Sequence, residues 1–306
     1  MRDALLAAAG NDWLRERAMR QRFVRRAVSR FMPGEGLDDA LAAARRLDER
    51  RVGTILTHLG ENVSSREEID AVQRHYLDAL ERIAAAKIDS EVSIKFTQLG
   101  LDQSARLALD HTAALATRAR QLGARLWVDM EGSAYTERTL ALYRELRPAH
   151  PNLGVALQAY LHRSKADLDA LLPLGAAVRL VKGAYKEPPS IAFASKRDVD
   201  ESFFELASRL LVPEARAAGC WVTLATHDPR LIARFEAKVA TEKIPRDAFE
   251  FAMLYGIRRA EPERLIAAGY RARVLISYGS HWFPWYMRRL AERPANLWFV
   301  MRSMLG

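Results

Sequence analysis

The sequence predicts an α/β chain folded as a (βα)8 barrel, and three observations predict it. Eight short apolar or β-branched runs recur from residue 52 onward. Stretches of about 20–40 residues with helical apolar spacing separate them, as in Glu67–Ala86 and Asp102–Leu122. The runs are also nearly all apolar, which marks strands covered on both faces, as in a parallel sheet wrapped by helices. Eight strand–helix units over some 250 residues match a barrel of this kind. A doubly wound open sheet is the runner-up. The boundaries read as an N-terminal helical segment over 1–45 and a barrel over 46–306.

In order, the expected strands are VGTILTHL (52–59), VSIKFTQL (92–99), RLWVDME (125–131) and LGVALQAY (153–160). AVRLVKGAY (177–185), CWVTLATH (220–227), FEFAMLYG (249–256) and RARVLISYG (271–279) complete the set. Helix starts are marked by a hydroxyl or acid followed by further acids, as in Ser64-Ser65-Arg66-Glu67-Glu68. No solenoid period or low-complexity tract is present. The lone Cys220 excludes an internal disulfide and a cysteine-ligated zinc site, and it opens a strand, where a small core residue is expected.

The net charge of +9 is uneven: residues 1–30 carry +5, residues 281–306 carry +3, and the middle is nearly neutral. That argues against a nucleic-acid groove across the molecule. No run of 18 uncharged apolar residues occurs and no secretory signal precedes the barrel, so a cytoplasmic protein is expected. The arginine-rich start, with Leu14, Ala18, Val24 and Val28 near helical spacing, reads as an amphipathic helix packing on the domain. The sharper alternative is peripheral contact with an anionic membrane surface.

Chemistry in a barrel sits at the C-terminal ends of the strands, and those ends are polar here. They carry His58, Lys95, Thr97, Gln98, Asp129, Glu131, Gln158, Tyr160, Arg179, Lys182, Tyr185, Thr226, His227, Asp228, Tyr255 and Tyr278. A charge inside a strand is expensive unless it is paired or faces a ligand. A purely structural role would pair Lys95 with Asp129. The excess of basic residues at this rim points to an anionic ligand. There is no Rossmann glycine pattern, no P-loop, no nucleophile elbow and no H-E-x-x-H, and metal ligation by His58, His227 and Asp129 has no supporting spacing. A Schiff-base aldolase using Lys95 or Lys182 stays open from the residues alone. Beyond strand eight, Arg288 and Arg289 stand adjacent after four aromatic residues, an arrangement suited to gripping one small carboxylate. The alternative is a solvated Arg-Arg pair on an exposed helix.

Seven segments, SIKFTQLG (93–100), WVDMEGS (127–133), LQAYL (157–161), RLVKGAY (179–185), LATHDP (224–229), FEFAMLYGI (249–257) and YMRRLAERPAN (286–296), occur together in one order and spacing. In them the chain resembles the bacterial monofunctional proline dehydrogenases. The resemblance implies a distorted (βα)8 barrel whose final helix covers the mouth. It implies oxidation of L-proline to Δ1-pyrroline-5-carboxylate, with hydride transfer from ring C5 to FAD and electrons passed on to a membrane quinone. It also implies peripheral contact at the inner face of the cell membrane and a functional link to a pyrroline-5-carboxylate dehydrogenase.

By the same resemblance, Lys95, Arg288 and Arg289 bind the substrate carboxylate, and Glu61 closes over the substrate by pairing with Arg288. Asp129 pairs with Lys95 and organises the site. Gln158 and Arg179 contact the isoalloxazine. Met130 and the Val181-Lys182-Gly183-Ala184 loop lie against the cofactor, Thr226 and His227 meet its phosphate and adenosine portion, and Glu292 stands near the flavin. One position departs: strand eight usually carries a tyrosine near the substrate ring and a proline two residues on, where this chain has Leu275 and Ser277. Leucine keeps the apolar wall and removes a hydroxyl, so looser discrimination against ring-hydroxylated analogues is expected, with Tyr278 as a partial substitute.

Overall fold

The computed structural model describes residues 30–60, 63 and 65–282. Eight parallel strands close into a barrel in simple sequence order. They are β1 (Gly53–His58), β2 (Ser90–Ile94), β3 (Leu126–Val128), β4 (Leu153–Gln158), β5 (Ala177–Val181), β6 (Trp221–Ala225), β7 (Glu250–Leu254) and β8 (Arg271–Tyr278). Closure is made by β1 against β8, in register from Gly53↔Arg273 to His58↔Tyr278.

Helix α1 (Leu37–Asp48) precedes the barrel. It buries Leu37, Ala40, Ala43 and Ala44 and packs against β1 and β8, across the line drawn at residue 45. Helices α2 (Arg66–Ala86), α3 (Ala105–Gln121), α4 (Ser133–Leu146) and α5 (Ser164–Leu171) follow β1 to β4. Helices α6 (Lys196–Leu211) and α7 (Pro213–Ala217) follow β5, and α8 (Pro229–Thr241) and α9 (Glu261–Ala267) follow β6 and β7. The start of α2 is the one the sequence marked. Ser65 accepts from the Glu68 N–H at 3.2 Å while the Glu68 carboxylate accepts from the Ser65 N–H at 3.1 Å, which satisfies two donors the first turn leaves open.

The main core lies between strands and helices. A second, small one fills the barrel, built from Ile55, Trp127 and Ala177 with Trp221 and Leu275 packed on it. All eight predicted strands are present, but most stop short of their predicted ends. β2 ends at Ile94, and Thr97–Leu99 form a 3-10 turn, so Thr97 and Gln98 are turn residues and not strand residues. Gln98 is spent as a clamp, donating to the carbonyls of His58 (3.0 Å) and Gly60 (2.6 Å) and accepting from Tyr76 (3.0 Å). β5 likewise ends at Val181 and releases Lys182–Tyr185 as a loop. None of the described helices is long and apolar enough to cross a membrane.

Candidate active site

A cavity of about 760 Å³ opens at the C-terminal ends of the strands, within the size range of sites for large ligands. Strands β1, β2 and β8 supply Thr57, Lys95, Leu275 and Ser277. β3 and β4 lead in Asp129, Met130, Ala156 and Gln158, and β5 with its loop supplies Arg179, Val181, Lys182, Gly183 and Ala184. Thr226, His227 and Asp228 follow β6, and Arg258 follows β7. Twelve residues predicted from widely separated segments thus share one wall. Five basic side chains (Lys95, Arg179, Lys182, Lys196, Arg258) face two acidic ones (Asp129, Asp228), so the cavity favours an anion.

The pairing inside the mouth differs from expectation. Asp129 does not pair with Lys95. Its carboxylate is ion-paired with Arg179 and accepts from Ser93 at 2.9 Å and Thr57 at 3.4 Å. Arg179 reaches it because β5 points the guanidinium across the barrel, whereas Lys95 leaves β2 beyond its last paired residue. Lys95 is 8% exposed and has no hydrogen bond or ion pair among the described residues. Arg179, 2% exposed, gives Nη2 to Asp129 and to Ser93 (3.0 Å), while its Nη1 has no partner among the described residues. Thr97 donates to Glu131, and Gln158 donates to the Glu131 carbonyl at 2.9 Å, which fixes the amide at the cavity edge.

The far side of the cavity is a charge cluster. Lys182 contacts Asp200 (2.5 Å) and Asp228 (3.0 Å), and Lys196 bridges the same two acids. Burial alone would raise the Asp228 pKa, but hydrogen bonds from Lys196 and Lys182 outweigh it and hold that carboxyl well below its ordinary range. With two carboxylates on it, the Lys182 nitrogen is tied to the cluster and poorly placed to attack a substrate carbonyl. His227 Nε2 accepts from the Leu254 N–H at 2.8 Å, so this ring is neutral with its proton on Nδ1. Gly183 has φ +121°, and a Cβ there would stand 2.2 Å from the Tyr160 ring; only glycine lets the loop lie this close. Tyr160 is buried, its hydroxyl is unpartnered among the described residues, and burial pushes its pKa up.

Tyr278 is not part of the cavity. Strand alternation points Leu275 and Ser277 inward and Tyr278 outward, where its hydroxyl meets His75 Nε2 at 2.8 Å and its ring packs beside His58. His58 points outward as well, 4.4 Å from His75, and burial followed by repulsion from His75, His281 and Lys95 drives its pKa down to about 4. Glu61, Arg288, Arg289 and Glu292 lie outside the described residues. Sequence reasoning missed Thr57, Ala156, Lys196 and Arg258: the first two are small uncharged strand residues, and the basic pairs Lys196-Arg197 and Arg258-Arg259 lie beyond the expected strand ends.

It also missed a second polar layer beneath the site. There Arg273 lies 2.9 Å from Asp89, 3.1 Å from Glu250 and 3.6 Å from Glu91. Thr223 donates to Glu250 at 2.7 Å, and Trp127 Nε1 donates to Glu91 at 2.5 Å. Burial is the largest influence on Glu91 and raises its pKa. The signal available was a charge inside each of three apolar strands: Glu250 in FEFAML, Arg273 in RARVLIS and Glu91 at the start of β2.

The family described as "Proline dehydrogenase" matches residues 40–302. The chain belongs to the proline dehydrogenase family. "Proline dehydrogenase 1" of Bacillus subtilis is 38% identical over 281 residues, covering 92% of this chain and 91% of its own length. "Proline dehydrogenase" of Deinococcus radiodurans is 35% identical over 283 residues, covering 91% and 90%. The family fold is seen in proline utilization A of Bdellovibrio bacteriovorus, solved after inactivation by N-propargylglycine, with a TM-score of 0.81 and 23% identity. The match covers 88% of this chain and 33% of that one. Within the proline dehydrogenase frame, the closed barrel, its mouth cavity and the Asp129–Arg179 pair fall inside the matched region.

Proposed function

We propose that this chain is an FAD-dependent proline dehydrogenase that oxidises L-proline to Δ1-pyrroline-5-carboxylate at the barrel mouth and hands the electrons to a membrane quinone. The observation that carries this is Arg179. With Lys95, Lys182, Lys196 and Arg258 it gives a cavity of about 760 Å³ five cations against two acids, the size and charge an anionic dinucleotide needs, so the residues present fit FAD. FAD bound here supplies the two-electron acceptor for the hydride leaving ring C5.

The chain's own residues do the positioning. Lys95, buried and without a counter-ion among the described residues, is suited to the substrate carboxylate, and we assign Arg288 and Arg289 to the same group. Asp129 and Ser93 lock Arg179 from one edge, which holds its positive charge at the cavity wall, where it would favour negative charge on a neighbouring ring. Gln158, Met130 and the Val181–Ala184 loop would line the ring and its chain. Thr226 and His227 would meet the phosphate and adenosine portion, with Lys182 and Lys196 holding positive charge beside them. Glu292 and Glu61 are assigned to the covering elements and Leu275 to the wall beside the substrate ring. Catalysis then rests on placing C5 and excluding water more than on acid–base groups.

Cytoplasmic residence with peripheral contact at the inner membrane face, and onward use of the product by a pyrroline-5-carboxylate dehydrogenase, belong to the same reading. The test is an absorbance spectrum of the purified protein. Flavin bands that bleach with L-proline and return with a quinone are expected. A colourless protein, or flavin that stays oxidised in excess proline, overturns the reading, and trapping of a substrate by borohydride would favour a Schiff-base lysine instead.

A further inference from the structure

We propose that Trp127 is a positioning residue for Arg179, and that the polar floor of the barrel, acting through Glu91, sets the height at which that guanidinium stands; this rests on the flavin reading of the mouth. Trp127 is fully buried in β3 and faces inward. The Arg179 Cζ stands 5.3 Å from its ring centroid, within cation–π range. Asp129 and Ser93 close one edge of the guanidinium, and the indole stands against it as well. Nη1 is the nitrogen left over.

The indole is itself pinned. Its Nε1 donates to Glu91 at 2.5 Å, and a Cβ on Gly154 would come within 2.5 Å of the ring. Glu91 lies 3.6 Å from Arg273 and 3.8 Å from Arg125, and the Arg125 Cζ is 5.4 Å from the same indole. A chain of contacts therefore runs from the floor to the cationic group at the cavity. An aliphatic residue at 127 would fill much of the volume but give neither the charged face its partner nor Glu91 its donor. A guanidinium free to settle deeper presents less positive potential to the ring.

The experiment is a double-mutant cycle with Trp127→Leu and Arg179→Lys, read as flavin midpoint potential, as kcat and KM for proline, and as thermal unfolding of the flavin-free protein. Trp127→Leu is expected to weaken the preference for reduced over oxidised flavin about tenfold, a negative shift of about 30 mV for a two-electron couple. kcat falls about tenfold while KM stays within about twofold. Added to Arg179→Lys, it produces little further change in potential, and the two unfolding shifts are non-additive. A folded Trp127→Leu protein with parental potential and kcat, or additive shifts, overturns the proposal. Should that variant lack a cooperative unfolding transition, Trp127→Phe and Glu91→Gln replace it: a smaller shift of the same sign in both supports the proposal, and parental potentials in both overturn it. A parent protein that binds no flavin defeats the functional reading alone, because the unfolding cycle still reports whether Trp127 and Arg179 are coupled.

Discussion

The barrel holds buried charge at two levels, and the two are built on opposite plans. At the floor, Arg273 has three carboxylates within 3.6 Å, and Glu250 and Glu91 also receive donors from Thr223 and Trp127. At the mouth, Lys95 has no ion pair among the described residues, and Arg179 keeps one nitrogen unpartnered. At the floor Arg273, Glu91 and Glu250 each have partners within the layer. The mouth carries a cationic surplus among the described residues, suited to an anionic ligand. Burial by itself does not mark a functional site; an excess of buried charge of one sign around a cavity is the more telling sign here.

The largest effect should come from breaking the floor. Arg273→Met leaves Glu250 buried without its cation and Glu91 with only Arg125 at 3.8 Å, and a loss of about 3–5 kcal/mol in chemical denaturation is expected. A loss under about 1 kcal/mol would mean the floor is not a paired network. Lys95→Ala sharpens the contrast from the other side. Stability should be unchanged or raised, since a poorly compensated buried charge is removed. The KM for proline should rise about 10–100-fold, as expected for losing a charged hydrogen bond of about 1.5–3 kcal/mol. A stability loss as large as that of Arg273→Met would erase the distinction.

The smallest effect concerns the outer wall of the mouth. His58 has a folded pKa of about 4 against 6.5 for the free group, so the unfolded chain binds the proton first as pH falls. Its contribution is constant above about pH 6.5 and is lost progressively between there and pH 4, by about 2 kcal/mol once its partial exposure is discounted. His58→Gln should flatten that part of the stability–pH curve, measured by urea unfolding at pH 7 and pH 4.5. Because Lys95 is one of the charges depressing His58, Lys95→Ala should also soften the slope. A slope identical to the parent's in both variants would refute the electrostatic origin.

Much of this was legible in the sequence, for definite reasons. Apolar runs flanked by capping residues located all eight strands, and the Ser65–Glu68 box placed the start of α2. Polar residues at strand ends identified the cavity wall. Strand ends were overrun because the polar segments continue past the last ladder hydrogen bond, as at Lys95–Leu99. Tyr278 was misplaced although parity with Leu275 puts it on the helix side. Ion-pair partners could not be read, because Asp129 and Arg179, or Glu91, Glu250 and Arg273, become neighbours only when distant strands close the barrel. Leu275 lines the cavity, and its effect on ring-hydroxylated analogues belongs to the proposed function.

Gly154 and Trp127 face each other so tightly that no side chain fits at 154 while an indole occupies 127. The two positions therefore constrain the order in which a lineage can change them. Alanine at 154 is closed as a first step, whereas shrinking 127 first opens it. If Trp127 also steadies Arg179, that first step lowers activity before the second can restore packing. A pair set deep in the barrel would then act as an evolutionary ratchet, holding the floor in its present form by the sequence of moves required to leave it.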